Sequence, residues 1–493
     1  MKALLLYPEF PNTFWSFKDA LKFVHKRAAF PPLGLLTVAA MLPPEWELRL
    51  VDTNVRKLRD RDLAWADLVM ISAMIAQRPS AQALIARCRA AGKRIVAGGP
   101  LFTSEHAQFP EVDHFVLNEA EITLPGFLRD LAQGRAGRLY RSEAFADLGD
   151  TPVPRWDLAE IGRYASMCVQ YSRGCPFDCE FCDVTAKFGR RPRCKSTSQL
   201  LAELDALVAR GWRGPVFFVD DNLIGNRRAL KAELLPALAA WQRRRRRELS
   251  FYTQTSIDLA DDPALLQLMV EAGFDTVFVG IETPEAASLA ECNKRQNQGR
   301  DLVADVKRIH RAGLQVQGGF IVGFDADTPA IFQRLIDFVQ ESGVVTAMVG
   351  LLNALPDTKL HARLAREGRL TGQTTGNNVD GTVNFVPRMA IDQLVAGYRR
   401  ILRGVYSPKP YYRRVRTFLR DYRRRDVRTT LSWRNLAAAA RSSFRLGVIG
   451  RERLQYWRLM IWTVFHRPAL LELAVTLAIY GHHFRRRCAA IGV

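Results

Sequence analysis

Between Lys2 and Glu367, short apolar runs alternate with stretches of helical period, and this alternation constrains the fold more than any other feature. Lys2–Tyr7, Glu47–Asp52, Leu68–Ser72 and residues 94–97 and 114–117 have the length and the Leu, Val and Ile content of buried strands. Residues 34–42, after the Pro31-Pro32 turn, and 81–91, ending at Gly92, read as helices between them. Strands separated by helices pair in parallel through crossovers, so the sequence predicts a doubly wound α/β sheet over residues 1–140. Ligands bind such sheets at the carboxyl ends of the strands. Those ends carry Pro8, Asp52-Thr53, Ser72-Ala73-Met74, Gly98-Gly99-Pro100 and Asn118-Glu119, and the glycines allow backbone to approach a ligand closely. No GxGxxG follows the first strand, which argues against a nicotinamide or flavin site.

Residues 141–165, with Gly149, Pro152 and Pro154, read as a linker. A second alternation follows, with strands at 168–172, 216–220, 250–255, 276–282, 315–322 and 346–352. Helical patterns at 198–210, 227–246, 263–272, 299–312, 329–342 and 358–367 separate them. Six such units suit a partial (β/α)6 barrel over residues 166–370, since a closed eight-unit barrel needs about 250 residues. Residues 371–493 then read as a basic, mostly helical C-terminal domain.

The charge lies in that last part. The chain has 71 Lys+Arg against 50 Asp+Glu, and residues 391–493 hold 22 of the former and 5 of the latter. A composition of 48% hydrophobic and 25% charged residues excludes disorder, collagen and coiled coil. Met1-Lys2 leads into an apolar run too short for a secretory signal, and no run is long enough to span a membrane, so a cytoplasmic protein is expected. Eight cysteines make no disulfide scaffold. Three of them crowd together.

Those three form Cys175-Pro176-Phe177-Asp178-Cys179-Glu180-Phe181-Cys182, a CxxxCxxC at the end of the first strand of the second series. Thiolates this close can hold three corners of an iron–sulfur cube and leave the fourth iron open. Zinc is the alternative, but it needs a fourth Cys or His; no histidine lies between His114 and His310, and Cys194 sits outside the turn.

The motif resembles the signature of the radical S-adenosylmethionine enzymes, with Phe181 in the aromatic position. That resemblance implies a [4Fe–4S] cluster on Cys175, Cys179 and Cys182. It also implies S-adenosylmethionine on the open iron, as the source of a 5′-deoxyadenosyl radical that abstracts hydrogen. It places S-adenosylmethionine contacts among Phe181, Asp220, Gln254, Ser256, Glu282 and Gly318 at the strand ends. Helix capping competes for Asp220 and Asp221, and tight packing competes for Gly318-Gly319. The first domain resembles the cobalamin-binding class of this superfamily: Gly98-Gly99-Pro100 and Asn118-Glu119-Ala120-Glu121 match its loops, with Asn118 in place of the usual Gly. Ser72, Gly98, Gly99, Pro100 and Glu119 are the cobalamin contacts this implies. Asp52-Thr53-Asn54-Val55 lacks the histidine of DxHxxG, so a corrin without histidine ligation is expected.

Five further segments look like the hopanoid methyltransferase-like proteins with their C-terminal domain. They are Trp15-Ser16-Phe17, Pro31-Pro32-Leu33-Gly34-Leu35-Leu36, Val51-Asp52-Thr53-Asn54, Phe218-Val219-Asp220-Asp221-Asn222 and Phe320-Ile321-Val322-Gly323-Phe324-Asp325. The resemblance implies a cobalamin-dependent radical C-methyltransferase acting on an unactivated carbon of a lipid-like or secondary-metabolite substrate. An electron donor such as flavodoxin or ferredoxin is implied as partner. A cyclase or rearrangement enzyme with the same cofactors is the second reading, and a nucleic-acid-modifying enzyme, suggested by the basic tail, is the third. Against the third, the tail has no RNA-binding motif. Its arginines alternate with Trp and Tyr, which points instead to peripheral contact with an anionic membrane; packing of the apolar residues on the barrel, with the arginines as a solvated face, is the competing reading. Arg413-Arg414, Arg423-Arg424-Arg425 and Arg485-Arg486-Arg487 would face the lipid, with Trp433, Trp457, Trp462 and Tyr480 at headgroup level.

Overall fold

In the computed structural model of the chain, all residues are described except 246–247, 378–379, 424–432, 493 and the side chains of 433–435. The first sheet contains β1 (Lys2–Tyr7), β2 (Glu47–Asp52), β3 (Leu68–Ser72), β4 (Arg94–Gly98), β5 (His114–Val116) and β6 (Leu139–Tyr140). Its order is β2-β1-β3-β4-β5-β6, every pair parallel. Leu4 and Leu6 pack into one apolar layer and Leu5 into another, which is why β1 is apolar at every position rather than alternating. The order reverses between β1 and β3, so the crevice of this sheet opens beside Tyr7-Pro8 and Ser72-Ala73-Met74. Residues 141–165 carry three short 3-10 turns, and Trp156 among them is buried.

The second sheet contains β7 (Met167–Val169), β10 (Pro215–Phe218), β11 (Ser250–Thr255), β12 (Phe274–Glu282), β13 (Gln315–Val322) and β14 (Ala347–Leu351). All neighbours are parallel, and β7 and β14 form its two edges, so the barrel is open. The strand expected at 168–172 ends at Val169; Ser172–Arg173 leaves it as β8 and pairs antiparallel with β9 (Arg193–Cys194). Alternation assigns the two faces. Phe218, Phe251 and Phe274 pack edge-on and tilted against one another toward the helices. Phe217 and Tyr252 stack 4.8 Å apart on the opposite, lumenal face.

Two segments complete the barrel. Residues between β1 and the helix Leu33–Met41 enter the lumen: Trp15 lies 4.9 Å from Phe278, and Phe30 lies 5.4 Å from Phe217. The C-terminal helices Ile391–Tyr406, Pro408–Asp421, Trp433–Phe444, Arg453–His466 and Leu471–Ala490 close the open edge. An unpaired edge strand exposes carbonyls that invite further pairing. Here Tyr398 donates to Val349 O at 3.2 Å, Tyr406 donates to Ala347 O, and Arg414 donates to Val345 O at 3.3 Å. Arg414 is fully buried, with its guanidinium over the Tyr406 and Tyr411 rings.

This packing corrects part of the membrane expectation. Tyr480 is turned inward onto Phe17, Arg414 is in the core, and Arg485 and Arg487 pair with Glu452 and Asp19. Trp462 is half-buried beneath Arg420, whereas Trp457 is exposed. Arg424, Arg425 and the Trp433 side chain lie outside the described residues.

Candidate active site

The cysteine loop is built from its two ends. Gly174 has φ +97°, and a Cβ there would sit 3.0 Å from the carbonyl oxygens of Phe188, Gly189 and Arg191. Only glycine fits. Its N–H donates to Asp221 Oδ2 at 2.9 Å, and fully buried Asp220 accepts from the N–H groups of Tyr171 and Ser172 and from Ser172 Oγ. Burial pushes the Asp220 carboxyl up to about 7 and Asp221 to about 6, so these bonds are made at a cost in solvation. Asp220 therefore fixes the chain entering the cysteine loop and, fully buried, presents no surface to a ribose, contrary to its expected role. Nor do these aspartates cap the following helix, whose cap is Asn226.

The far side of the loop is clamped by the segment after β12. Glu180 N–H donates to Cys292 O at 3.0 Å, and Asn293 Nδ2 donates to Asp178 O at 2.9 Å. Lys294 reaches back under the cysteines and donates to Glu282 Oε1 at 2.8 Å, both side chains buried. Burial opposes the lysine charge, but Glu282 and Cys179 outweigh it and hold the ammonium above the ordinary lysine range. Its Nζ also lies 5.9 Å above the Phe181 ring. Glu282 follows a register shift at the end of β12 and has φ +64°, a strained backbone of the kind kept at functional sites. Nothing in the residues around Lys294 signalled this role, because only the loop between β12 and β13 brings it to the cysteines.

Burial raises all three thiols, Cys182 to about 12, and Lys294 lowers each of them. Among the described residues no three Cys, His, Asp or Glu side chains converge as a single-ion site. A cube asks for something different, since each thiolate takes its own iron. Cys194 lies on β9, where Tyr171 and Asn226 are its hydrogen-bond partners, outside the trio. Gln296 donates to Cys179 Sγ at 3.8 Å while its buried Oε1 has no partner, a polar atom free for a ligand beside the cysteines.

At the barrel top, Gln254 shares the lumenal face with Phe278 and Gln317. A Cβ on Gly280 would meet Glu282 Oε1 at 2.3 Å, and one on Gly319 would meet the Phe278 ring at 2.8 Å. Gly318, expected at this site, faces outward: its Cβ would meet Phe320 and Val344 at 2.7 Å and 3.1 Å. The strand parity gives the lumenal place to Gly319. Ser256 is buried and exchanges two hydrogen bonds with Asn222, joining the ends of β10 and β11.

In the first domain, a Cβ on Gly98 would meet Val116 O at 2.6 Å and one on Gly99, at φ +87°, would meet Ser72 Oγ at 2.5 Å. These glycines, with Pro100 opening the next helix, draw the ends of β3, β4 and β5 into one ledge. Met74 is exposed on it, and Asn118, at φ +63°, keeps a buried Oδ1 with no partner. An apolar ledge with a free amide oxygen fits a corrin and its amide arms. Asp52 is buried, accepting from Tyr164 and Asn54, and no histidine stands beside it in the 52–55 loop. Glu119 departs from expectation: it accepts from Arg173 at 3.0 Å, from both Arg193 Nη atoms and from Ala146 N–H. Glu121 pairs with Arg173 at 2.7 Å. Both carboxylates thus bind the first domain to the ribbon that frames the cysteine loop.

Three regions match family models: B12 binding domain at residues 26–128, Radical SAM superfamily at 169–339, and Domain of unknown function (DUF4070) at 358–491. The chain is 42% identical to an uncharacterised methyltransferase of Synechocystis sp., over 98% of this chain and 91% of that protein. It is 32% identical to the hopanoid C-2 methylase of Rhodopseudomonas palustris, over 98% of this chain and 92% of that enzyme. The fold is similar to that of the radical S-adenosylmethionine methyltransferase TsrM from Kitasatospora setae, solved with cobalamin and a [4Fe-4S] cluster. The TM-score is 0.61 at 15% identity, over 93% of this chain and 98% of that one. The cofactor set is therefore a [4Fe–4S] cluster, S-adenosylmethionine and cobalamin. With its B12-binding sheet, radical barrel and helical C-terminal domain, the chain belongs to the cobalamin-dependent radical S-adenosylmethionine methyltransferases, in the family that includes the hopanoid C-2 methylase.

Proposed function

We propose that the enzyme methylates an unactivated carbon of an apolar, lipid-like substrate held in the barrel lumen. The observation that carries this reading is the lumen wall. Trp15 packs on Phe278, and Phe30, Phe217 and Tyr252 pack on one another, so two aromatic clusters line the lumen, with Gln254 and Gln317 among the polar groups on the same face of its strands. A wall of this kind rewards burial of a hydrocarbon skeleton and offers few groups to orient a polar one. When bound, the cofactors supply a transferable methyl group and a hydrogen-abstracting radical. The chain supplies the rest. Cys175, Cys179 and Cys182 hold the cluster, Lys294 and Glu282 set the charge beneath it, and Gly280, Gly319 and Gln254 make room for and orient S-adenosylmethionine. The ledge from Ser72 to Asn118 carries the corrin, and the aromatic lining excludes water from the radical.

Exposed Arg190 and Arg191 on the outer side of the cysteine loop suit an acidic one-electron donor of the flavodoxin or ferredoxin class. No helix among the described residues is long and apolar enough to cross a membrane. We place the enzyme on the cytoplasmic face of an anionic membrane, reached through its basic C-terminal helices.

The test is anaerobic turnover of the reconstituted enzyme with triterpenoid substrates. Methylated product accompanied by S-adenosylhomocysteine and 5′-deoxyadenosine is expected. Formation of 5′-deoxyadenosine alone, with a rearranged product, would overturn the methyl-transfer reading.

A further inference from the structure

The helix Arg453–His466 is apolar on two opposite faces. Tyr456, Leu459, Met460 and Thr463 are buried against the other C-terminal helices. On the other side Leu454, Trp457, Ile461, Val464 and Phe465 fall on one arc of about 100°, given the 100° advance per residue. All five are exposed, Leu454 to 69% and Phe465 to 79%. A helix apolar all round is ordinarily buried all round. The preceding turn extends the same surface: Trp457 Nε1 donates to Gly447 O at 2.9 Å, which sets exposed Val448 and Ile449 beside the ring. Half of the large apolar side chains exposed among the described residues lie between 436 and 471. Isolated exposed leucines need no explanation, but a continuous ridge does.

The charges around the ridge choose its occupant. Arg445, Arg451, Arg453 and Arg458 are exposed on these helices. The single carboxylate between Trp433 and Leu470 is Glu452, which is buried and held by Arg485 at 2.8 Å. An apolar ridge flanked by guanidiniums and free of exposed carboxylates is complementary to a surface that is apolar within and anionic at its boundary. A second copy of the chain would bring arginine against arginine.

We infer that the Val448–Phe465 ridge is the membrane-docking face, inserting Ile449, Leu454, Trp457, Ile461 and Phe465 among the acyl chains while the arginines contact anionic headgroups. This rests on the peripheral-membrane reading above and specifies its surface. The helices on either side of the ridge are tied to the segment that enters the lumen: Arg441 Nε on Trp433–Phe444 donates to Phe23 O at 2.8 Å, and His483 Nε2 on Leu471–Ala490 lies 3.0 Å from Phe14 O, next to lumenal Trp15. Docking there would set the segment that lines the substrate cavity directly against the lipid-bound body.

The test uses full-length holoenzyme in co-sedimentation with vesicles of phosphatidylcholine alone or mixed with phosphatidylglycerol. Wild-type protein should bind the anionic vesicles and lose part of that binding in high salt. Ile461→Asp combined with Phe465→Asp should lower binding about tenfold or more, while Arg453→Gln combined with Arg458→Gln should weaken it chiefly at low salt. Both pairs are exposed, so thermal unfolding and cluster content should stay at wild-type values. If wild-type protein binds no vesicles, the peripheral reading itself fails. If wild-type protein binds and the Asp pair binds equally well, the ridge is not the docking face. A wild-type dimer in sedimentation velocity that the Asp pair dissociates would overturn the proposal in favour of self-association.

Discussion

Gly174→Ala tests whether the cysteine loop owes its shape to one backbone angle. At φ +97° an L-residue incurs roughly 1–2 kcal/mol of left-handed strain. The new Cβ also meets three backbone oxygens at 3.0 Å, and none is the flexible end of a side chain. Crowding of that kind adds about 1–2 kcal/mol. A total of about 2–4 kcal/mol lowers the population of the cluster-ready loop by roughly thirty- to several-hundred-fold. Gly211→Ala is the control: its φ is +83°, yet nothing lies within 4 Å of the added Cβ, so it carries backbone strain without the clash. The assay is iron and sulfide per chain after anaerobic reconstitution, followed through a chelator challenge. Gly174→Ala should lose its cluster far faster than wild type, and Gly211→Ala should keep it. Equal retention by Gly174→Ala and wild type would refute the argument that the 188–191 carbonyls and this glycine shape the loop.

Cys175→Ala, Cys179→Ala and Cys182→Ala should each abolish the iron–sulfur absorbance, whereas Cys88→Ala, Cys194→Ala and Cys488→Ala should retain it; loss of the cluster in Cys194→Ala would show a fourth ligand and a closed iron. Tyr406→Phe leaves the Ala347 carbonyl on the barrel edge without its donor and should destabilise the fold by about 1–3 kcal/mol in denaturant unfolding; an unchanged midpoint would mean that water reaches this edge. For Glu452, burial raises the carboxyl, but His482 and Arg485 outweigh it and hold it down at about 2, below its unfolded value near 4.5. Its contribution is therefore complete above pH 4.5 and is lost as the pH falls toward 2, so Glu452→Gln should flatten the acid dependence of thermal unfolding in that window; an unaltered slope would place the acid sensitivity elsewhere.

The alternation of apolar runs and helical periods determined both parallel sheets, because a βα unit is a local pattern and its crossover leaves few topologies. Spacing alone placed Cys175, Cys179 and Cys182 in one loop, and the aromatic Phe181 with them. Tertiary structure decided which neighbours those residues have. Parity along β13 turned Gly319 rather than Gly318 into the lumen, a choice of one residue that a glycine pair leaves open. Asp220 and Glu119 sit where ligand contacts were expected, yet their oxygens are occupied by Ser172 and by Arg173 and Arg193, partners 48, 54 and 74 residues away. Lys294 arrives at the cysteines from the far side of β12, more than a hundred residues along the chain, and carries no local signature. The tail's composition announced a basic helical domain but not its sides. Packing against the barrel edge and the Phe14–Phe23 segment consumed Tyr480, Arg414 and Arg487, Glu452 within the tail consumed Arg485, and the ridge through Phe465 is what that packing left uncovered. Short-range periodicity fixes elements because it acts within a few residues; ion pairs and exposed faces depend on which distant surfaces meet, and only the assembled fold settles that.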